Sequence, residues 1–486
     1  MDSDTDEAES VPRRTRLIQI AGTLVSLVIL VIGVMAPPMV GLEREMQLVL
    51  TVFLLTIVLW VTKPVPFTIS SVLAMSLLFA LGITDSFDAA VSGFASELVF
   101  FLFLLILLGN TVSKTGLDER AAQQILSKES TPRKTVRSLS ANLFGLSFFM
   151  PSAVARTVTF IPLVKGIADR FGLGQGSNFE KSSFFILGHV NPIASMALMT
   201  GGGMAIITSE VIRSSVRDIT WVEWAIYMIP PVAVLYTLGA IAAVRLYPIN
   251  DTTTITDTGQ LDDESRIAQS EGYGTEPLSR NERIVALVMG GTVVAWIVGS
   301  FLGIPTILPA VAAVVLLALP NIGIITSEDV HSMSWGILFV IGAMFSILDV
   351  METTGTLTFI VDAMTNLIPF ATMTTWQVVA ILLAIAVIMR TFFSTASAAI
   401  TVVLPIVLEF GGVLGVNRFY LALSILLVVA STTFLPFNTT SVLVSFDQGP
   451  LNLREVFVFG CLTMLFALVI IPLTWLFYWP LVDAIL

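Results

Sequence analysis

The chain has 486 residues, 55% of them hydrophobic and only 12% charged, with a mean hydropathy of +0.91. A soluble domain carries about 25% charged residues, so this is a polytopic membrane protein. The formal net charge of −11 offers nothing to a nucleic acid, and the single cysteine, Cys461, excludes an internal disulfide and a cysteine metal cluster.

Residues 1–16 form a cytoplasmic tail, acidic at Asp2, Asp4, Asp6, Glu7 and Glu9 and basic at Arg13, Arg14 and Arg16. Basic residues ahead of the first span put the N-terminus inside. Leu17–Ala36 is long and runs into Pro37-Pro38 rather than a small-residue cleavage site, so it reads as a retained span. Lys63 marks the inside after the second helix, and "TDSFDAAVSGFASE", with no basic residue, marks the outside after the third. The fourth helix, around Leu98–Leu108, then delivers "KTGLDERAAQQILSKESTPRKTVR" to the inside, an amphipathic helix on the membrane surface. "FFMPSAVARTVTFIPLV", Phe148 to Val164, is apolar but broken by Pro151, Ser152 and Arg156, and Lys165, Arg170 and Lys181 follow it. With both flanks inside, the spacing predicts a re-entrant helical hairpin over residues 138–164 with its tip near Pro151 and Ser152.

The fifth helix, Ser182 to Val211, is predicted to break at "TGGG", Thr200, Gly201, Gly202 and Gly203, and the sixth is Trp221–Tyr247. Residues 248–280 are an acidic cytoplasmic linker between two membrane repeats, 17–247 and 281–486. In the second repeat "FFSTASAAITVVLPIV", Phe392 to Val407, predicts a second hairpin over residues 376–413, and "LPFNTTSVLV" predicts a second broken helix. Laying Pro162 on Pro405 puts Ser152 on Thr395, Ala153 on Ala396 and Val154 on Ser397, while "LMTGGGMAII" pairs with "LPFNTTSVLV". Counting helices turns the second copy over and leaves the C-terminus outside. Repeats of opposite orientation with interrupted helices characterise secondary transporters.

Broken helices expose N–H groups that suit an anion. They also expose carbonyls which, with the hydroxyls of Ser152, Thr157, Ser394, Thr395, Ser397, Thr439 and Thr440 and the amide of Asn438, suit sodium. Arg156, one helical turn past Ser152, is the candidate fixed cation facing the anion. Arg390, ahead of the second tip, is open between that role and an interfacial or ion-paired one. Asn191 reads as repairing the break at Pro192, Glu97 and Glu409 as helix ends, and Asp349 as interfacial.

The residues "PSAVARTVTFIP", "FFSTASAAITVVLP", "MTGGGM" and "LPFNTTS" carry a resemblance to the divalent anion/sodium symporter family, within the larger ion-transporter superfamily. That resemblance implies eleven spans plus two hairpins, a homodimer in the cell membrane, and elevator-type movement of a dicarboxylate, citrate-like or sulfate-like anion with sodium. It implies that Ser152-Ala153-Val154 and Thr395-Ala396-Ser397 occupy the places of the family's two Ser-Asn-Thr motifs; a shift of one residue puts Ser394-Thr395-Ala396 in the second. Neither place holds an asparagine, and Val154 has no hydroxyl. Residue chemistry and resemblance together make Ser152, Ala153, Val154, Arg156, Thr157, Thr395, Ala396, Ser397, Asn438 and Thr439 candidates for substrate contact. Ser152, Ala153, Ser394, Thr395, Ala396, Asn438, Thr440 and Thr200–Gly203 are candidates for the ion. A cation/proton antiporter of the same superfamily would want a buried carboxylate, and neither hairpin core has one; coupling to protons rather than sodium stays open. A channel fits the paired breaks less well than a carrier does, and no HExxH, G-x-S-G or phosphate-loop pattern supports an enzyme.

Overall fold

The computed structural model describes residues 13–38, 41–117, 120, 131–150, 152–249, 277–367 and 370–486. The acidic tail up to residue 12, most of the predicted surface helix, Pro151 and the linker from 250 to 276 lie outside the described residues.

Among the described residues every regular element is helical. In chain order they are α1 Arg13–Met35, α2 Arg44–Thr62, α3 Phe67–Ala80, α4 Phe87–Ala90, α5 Glu97–Lys114, α6 Pro132–Leu146, α7 Ala153–Arg170, α8 Asn178–Phe185, α9 Asn191–Ala194, α10 Gly203–Ser215 and α11 Trp221–Leu246. They continue with α12 Arg280–Leu302, α13 Ile307–Ala318, α14 Ser327–His331, α15 Trp335–Thr353, α16 Thr356–Leu367, α17 Thr375–Arg390, α18 Ala396–Val413, α19 Arg418–Ser431, α20 Thr440–Gln448, α21 Leu453–Leu473 and α22 Trp479–Ile485. Eight helices among the described residues are long and apolar enough to cross a membrane, and four shorter apolar helices accompany them. The protein is therefore an all-α polytopic membrane protein. Local signals set many of the ends. Thr220 with Glu223, Thr374 with Gln377 and Asn452 with Glu455 form reciprocal capping boxes at the starts of α11, α17 and α21. Gly303, at φ 68°, closes α12 in the left-handed conformation that glycine adopts without cost.

The chain divides into two compact units. The first comprises residues up to Val99 together with Ser334–Phe370. Within it the 3₁₀ turn Ser92–Ala95 lies directly on α15. The Gly93 amide donates to Ser346 Oγ at 3.0 Å, and Ser92 Oγ donates to Asp349 at 3.1 Å. A Cβ on Gly93 would fall inside the backbone of Gly342 and Ser346. Gly93→Ala is therefore expected to lower stability by about 1–3 kcal/mol, the usual cost of overpacking. A wild-type melting temperature for that variant in detergent would refute this contact.

The second unit comprises Phe100–Met333 and Ala371–Leu486. It contains all four interrupted stretches predicted from the sequence. The first hairpin stretch is α6, a non-helical segment and α7; the second is α17, Thr391–Thr395 and α18. The fifth helix is interrupted over Ser195–Gly202, after a single π turn at Ile186–Val190, which is longer and earlier than the predicted break at Thr200–Gly203. Its counterpart is interrupted between Ser431 and Thr440 around the 3₁₀ turn Pro436–Asn438. Packing is crossed: α7, from the first stretch, lies against α20, and α18, from the second, lies against α10.

Candidate functional site

Each hairpin stretch resumes its helix at a hydroxyl cap. Ser152 Oγ accepts from the Ala155 amide at 3.1 Å, and Thr395 Oγ1 accepts from the Ala398 amide at 3.2 Å. The caps take the third helical amide in each case, so the first two, Ala153 and Val154 in α7 and Ala396 and Ser397 in α18, have no intrahelical acceptor. These residues and Ser394 are half-buried except Ala396, which is buried. Free amides at the positive end of a helix are, by elementary electrostatics, a setting that suits an anion.

Behind each cap lies an arginine with no exposure at all. Arg156 Nε donates to Asn191 Oδ1 at 2.7 Å, and its two terminal nitrogens donate to the Met150 carbonyl, to Ser195 Oγ at 2.8 Å and to the Asn191 carbonyl at 3.4 Å. Arg390 donates from Nε to the Val429 carbonyl at 3.2 Å and from its terminal nitrogens to the Phe393 carbonyl at 2.9 Å, the Asn438 carbonyl at 2.6 Å and Thr439 Oγ1 at 3.0 Å. Every acceptor is a neutral oxygen. Among the described residues neither guanidinium has a carboxylate partner.

The two oxygen cages correspond in three of their four acceptors; the fourth is the Asn191 side chain in one and the Val429 carbonyl in the other. Met150 and Phe393 each stand two residues before the cap. Asn191 and Asn438 each give a main-chain carbonyl from a broken helix, and Ser195 and Thr439 each give a hydroxyl. The guanidinium, however, arrives from opposite sides of the tip: Arg156 from the helix after it, Arg390 from the helix before it. The asparagine side chains complete the clasp. Asn191 Nδ2 donates to the Ala153 carbonyl at 2.8 Å and to Thr157 Oγ1 at 3.1 Å. Asn438 Nδ2 donates to the Thr391 and Phe393 carbonyls at 3.0 and 3.1 Å. Asn191 thus does more than repair the break at Pro192.

The remaining sequence candidates are dispersed in role. Thr157 Oγ1 lies 2.9 Å from each of the Ala153 and Leu187 carbonyls, shares its one proton with them, and helps fix α7 to the π turn. Thr200 Oγ1 accepts from Trp221 Nε1 at 3.1 Å, so its hydroxyl is engaged in seating α11. Gly201 and Gly202 are buried and Gly203 half-buried; a Cβ on Gly201 would come 2.6 Å from the Ser195 carbonyl, so the chain there packs backbone against backbone. Thr440 is exposed at the start of α20. Glu97 begins α5, whereas Glu409 lies inside α18, 3.8 Å from Arg418. Asp349 belongs to the other unit. Sequence reasoning missed Met150, Ser195, Val429 and Phe393, of which all but Ser195 contribute only carbonyl oxygens. No group of His, Cys, Asp or Glu among the described residues could hold a metal ion.

The family model described as the sodium:sulfate symporter transmembrane region matches residues 17–485. The L-tartrate/succinate antiporter of Escherichia coli is 23% identical over 492 residues, covering 94% of this chain and 98% of that protein. The chloroplastic dicarboxylate transporter 1 of Spinacia oleracea is 23% identical over 79% of this chain and 67% of its own length. A Cupriavidus necator protein named only as a membrane protein is 23% identical over 89% of this chain and 87% of its own.

Proposed function

This chain belongs to the family of the sodium:sulfate symporter transmembrane region, and from that premise we propose that it is a secondary transporter of a small dianion of the dicarboxylate class. The reading includes elevator-type alternating access, two re-entrant hairpins in an inverted repeat, and a homodimer in the cell membrane with the N-terminus inside and the C-terminus outside. The observation that carries it is the pair of caged guanidiniums standing behind two capped helix ends. A dianion seated at the Ala153–Val154 and Ala396–Ser397 amides would be balanced by two fixed positive charges, with Ser152, Thr395 and Ser397 offering hydroxyls.

On coupling, exchange of one dianion for another is the mode this geometry favours. A guanidinium held by neutral tip and break oxygens does what a bound sodium ion would do, but it cannot leave with the substrate. An empty site keeps both charges unbalanced, which opposes return of the unloaded carrier. Sodium symport is the second reading. The family description favours it, and so do the hydroxyls of Ser152, Ser394, Thr395 and Thr440 that remain at the breaks.

Proteoliposomes separate the two. Labelled succinate outside is expected to enter saturably only when unlabelled dianion is inside, and equally in sodium and in N-methylglucamine at constant ionic strength. Uptake into empty vesicles that requires external sodium would establish symport instead. Absence of saturable transport for succinate, tartrate, citrate and sulfate would overturn the anion reading itself.

A further inference from the structure

We propose that the groove between α6 and α11 is a binding site for one anionic phospholipid, its phosphate held by arginines and an acyl chain laid along the helices. The groove is a cavity of about 550 Å³, within the ~300–1,000 Å³ range of small-molecule sites. At one end stand Arg133 and Arg137, from the first two turns of α6, and Arg245, from the last turn of α11; all three are exposed. The rest of the wall is mainly apolar, with Phe144, Ala233, Ala240 and Ile241 among its residues, beside the hydroxyl-bearing Ser140, Tyr236 and Thr237. Among the described residues no carboxylate lines it.

The polarity runs along the groove, as an amphiphile requires. From Arg245 back to Ala233 along α11 is roughly 18 Å at ~1.5 Å per residue, enough for most of an acyl chain. The three arginines come from helix ends that the charge pattern assigns to the inside, Arg133 and Arg137 after a basic segment and Arg245 ahead of the acidic linker, and headgroups of anionic lipids lie on that side. Basic pockets between membrane helices on that side bind phosphate headgroups by this logic. A soluble anion would use the arginines but leave the apolar length unfilled, which is why the occupant is a lipid. The floor is tied down: Tyr236 Oη donates to the Ser140 carbonyl at 2.7 Å, and its ring stands 5.0 Å from that of Phe144. An occupant would therefore touch α6, the first helix of the first broken pair, at fixed positions.

The test titrates phosphatidylglycerol, phosphatidylcholine or inorganic phosphate into the full chain purified in detergent, and follows the melting temperature and the mass of the intact complex. Phosphatidylglycerol is expected to bind as a single retained lipid and raise the melting temperature; phosphatidylcholine and inorganic phosphate are expected to do neither. Arg137→Gln with Arg245→Gln should weaken the lipid about 25-fold, or roughly fivefold per arginine from ~1 kcal/mol each at ~1.4 kcal/mol per decade. Ala240→Phe, which fills the apolar groove without touching charge, should displace the lipid too and serves if the double variant misfolds. Equal binding of both lipids, binding untouched by either variant, or an equal effect of inorganic phosphate would each overturn the proposal.

Discussion

Arg390→Ala is expected to be among the most damaging single substitutions in this protein, costing roughly 3–5 kcal/mol of stability and abolishing transport. The side chain has no exposure and bonds four oxygens drawn from three places: the end of α19, the second tip, and the break before α20. Hydrogen bonds to a charged group are worth ~1.5–3 kcal/mol each, and a buried acceptor left without a donor costs ~1–3 kcal/mol. Water entering the vacated space would recover only part. Arg390→Lys keeps the charge, but one ammonium cannot reproduce a planar fork that reaches carbonyls on several segments. It should recover stability partially and transport poorly. Arg156→Ala should behave alike, because Asn191, Ser195 and Met150 would lose their donor together. In either alanine variant the oxygens are left arranged around a hole of cationic preference, so guanidinium or sodium ions should raise the melting temperature of the variant and leave the wild type unmoved. Melting curves in sodium, guanidinium and N-methylglucamine chlorides, at concentrations below denaturation, decide the point. An alanine variant as stable as wild type, with unaltered transport, would remove the arginine from the site.

Asp483→Ala is expected to cost about 2–4 kcal/mol without touching the two interrupted helix pairs, α6–α7 and α17–α18. Asp483 lies in the last turn of α22, and its two carboxylate oxygens accept from Tyr227 in α11 and from Tyr420 in α19. Both phenols are buried, at 1% and 6% exposure, so removing the acceptor strands two donors at once. The surrounding clasp explains why the end of the chain is held. Trp479 Nε1 donates to the Tyr227 carbonyl at 3.1 Å, and Tyr478 Oη to the Ile226 carbonyl at 2.5 Å. Asp483→Asn, which keeps one good acceptor, should lose about half as much. If Tyr227→Phe and Asp483→Ala were additive in a double-mutant cycle, the bond would be structurally idle and this account wrong.

Much of the architecture was legible because it rests on local chemistry. The apolar run from Trp221 and its capping residues give a helix ending within one residue of the expected Tyr247. Ser152 and Thr395, predicted at the tips, cap the resumed helices. The first helix of the hairpin stretch starts at Pro132 rather than near 138 because Thr131 caps it and proline occupies its first position, a signal present in the sequence but hidden by the charged run around it. Phe149 and Phe392 are more than half exposed in the segments just before the two caps. The cages were not legible. Their acceptors are largely main-chain carbonyls, which every residue carries, so no residue type announces them. The linear overlay of the repeats sets Arg156 on Ala399 and Arg390 on Ser147, which hides the equivalence, because the two guanidiniums reach corresponding oxygens from non-corresponding positions. Ser195 could have been found one helical turn after Asn191, had the asparagine been weighed as a functional residue.

The caged guanidiniums also set how the protein would feel a voltage. Each elementary charge carried across the bilayer exchanges ~2.3 kcal/mol per 100 mV with the membrane potential. On the proposed elevator reading, a moving body that holds two fixed positive charges and one dianion would carry no net charge from these groups, so its crossing would be electrically silent and alike in a polarised or a depolarised cell. The same body without its passenger would carry both charges through the field, roughly 4.6 kcal/mol at 100 mV, always favoured toward the negative side and hindered away from it. Membrane potential would then act as a ratchet on the empty carrier alone, holding it facing the cytoplasm until a dianion from inside releases it.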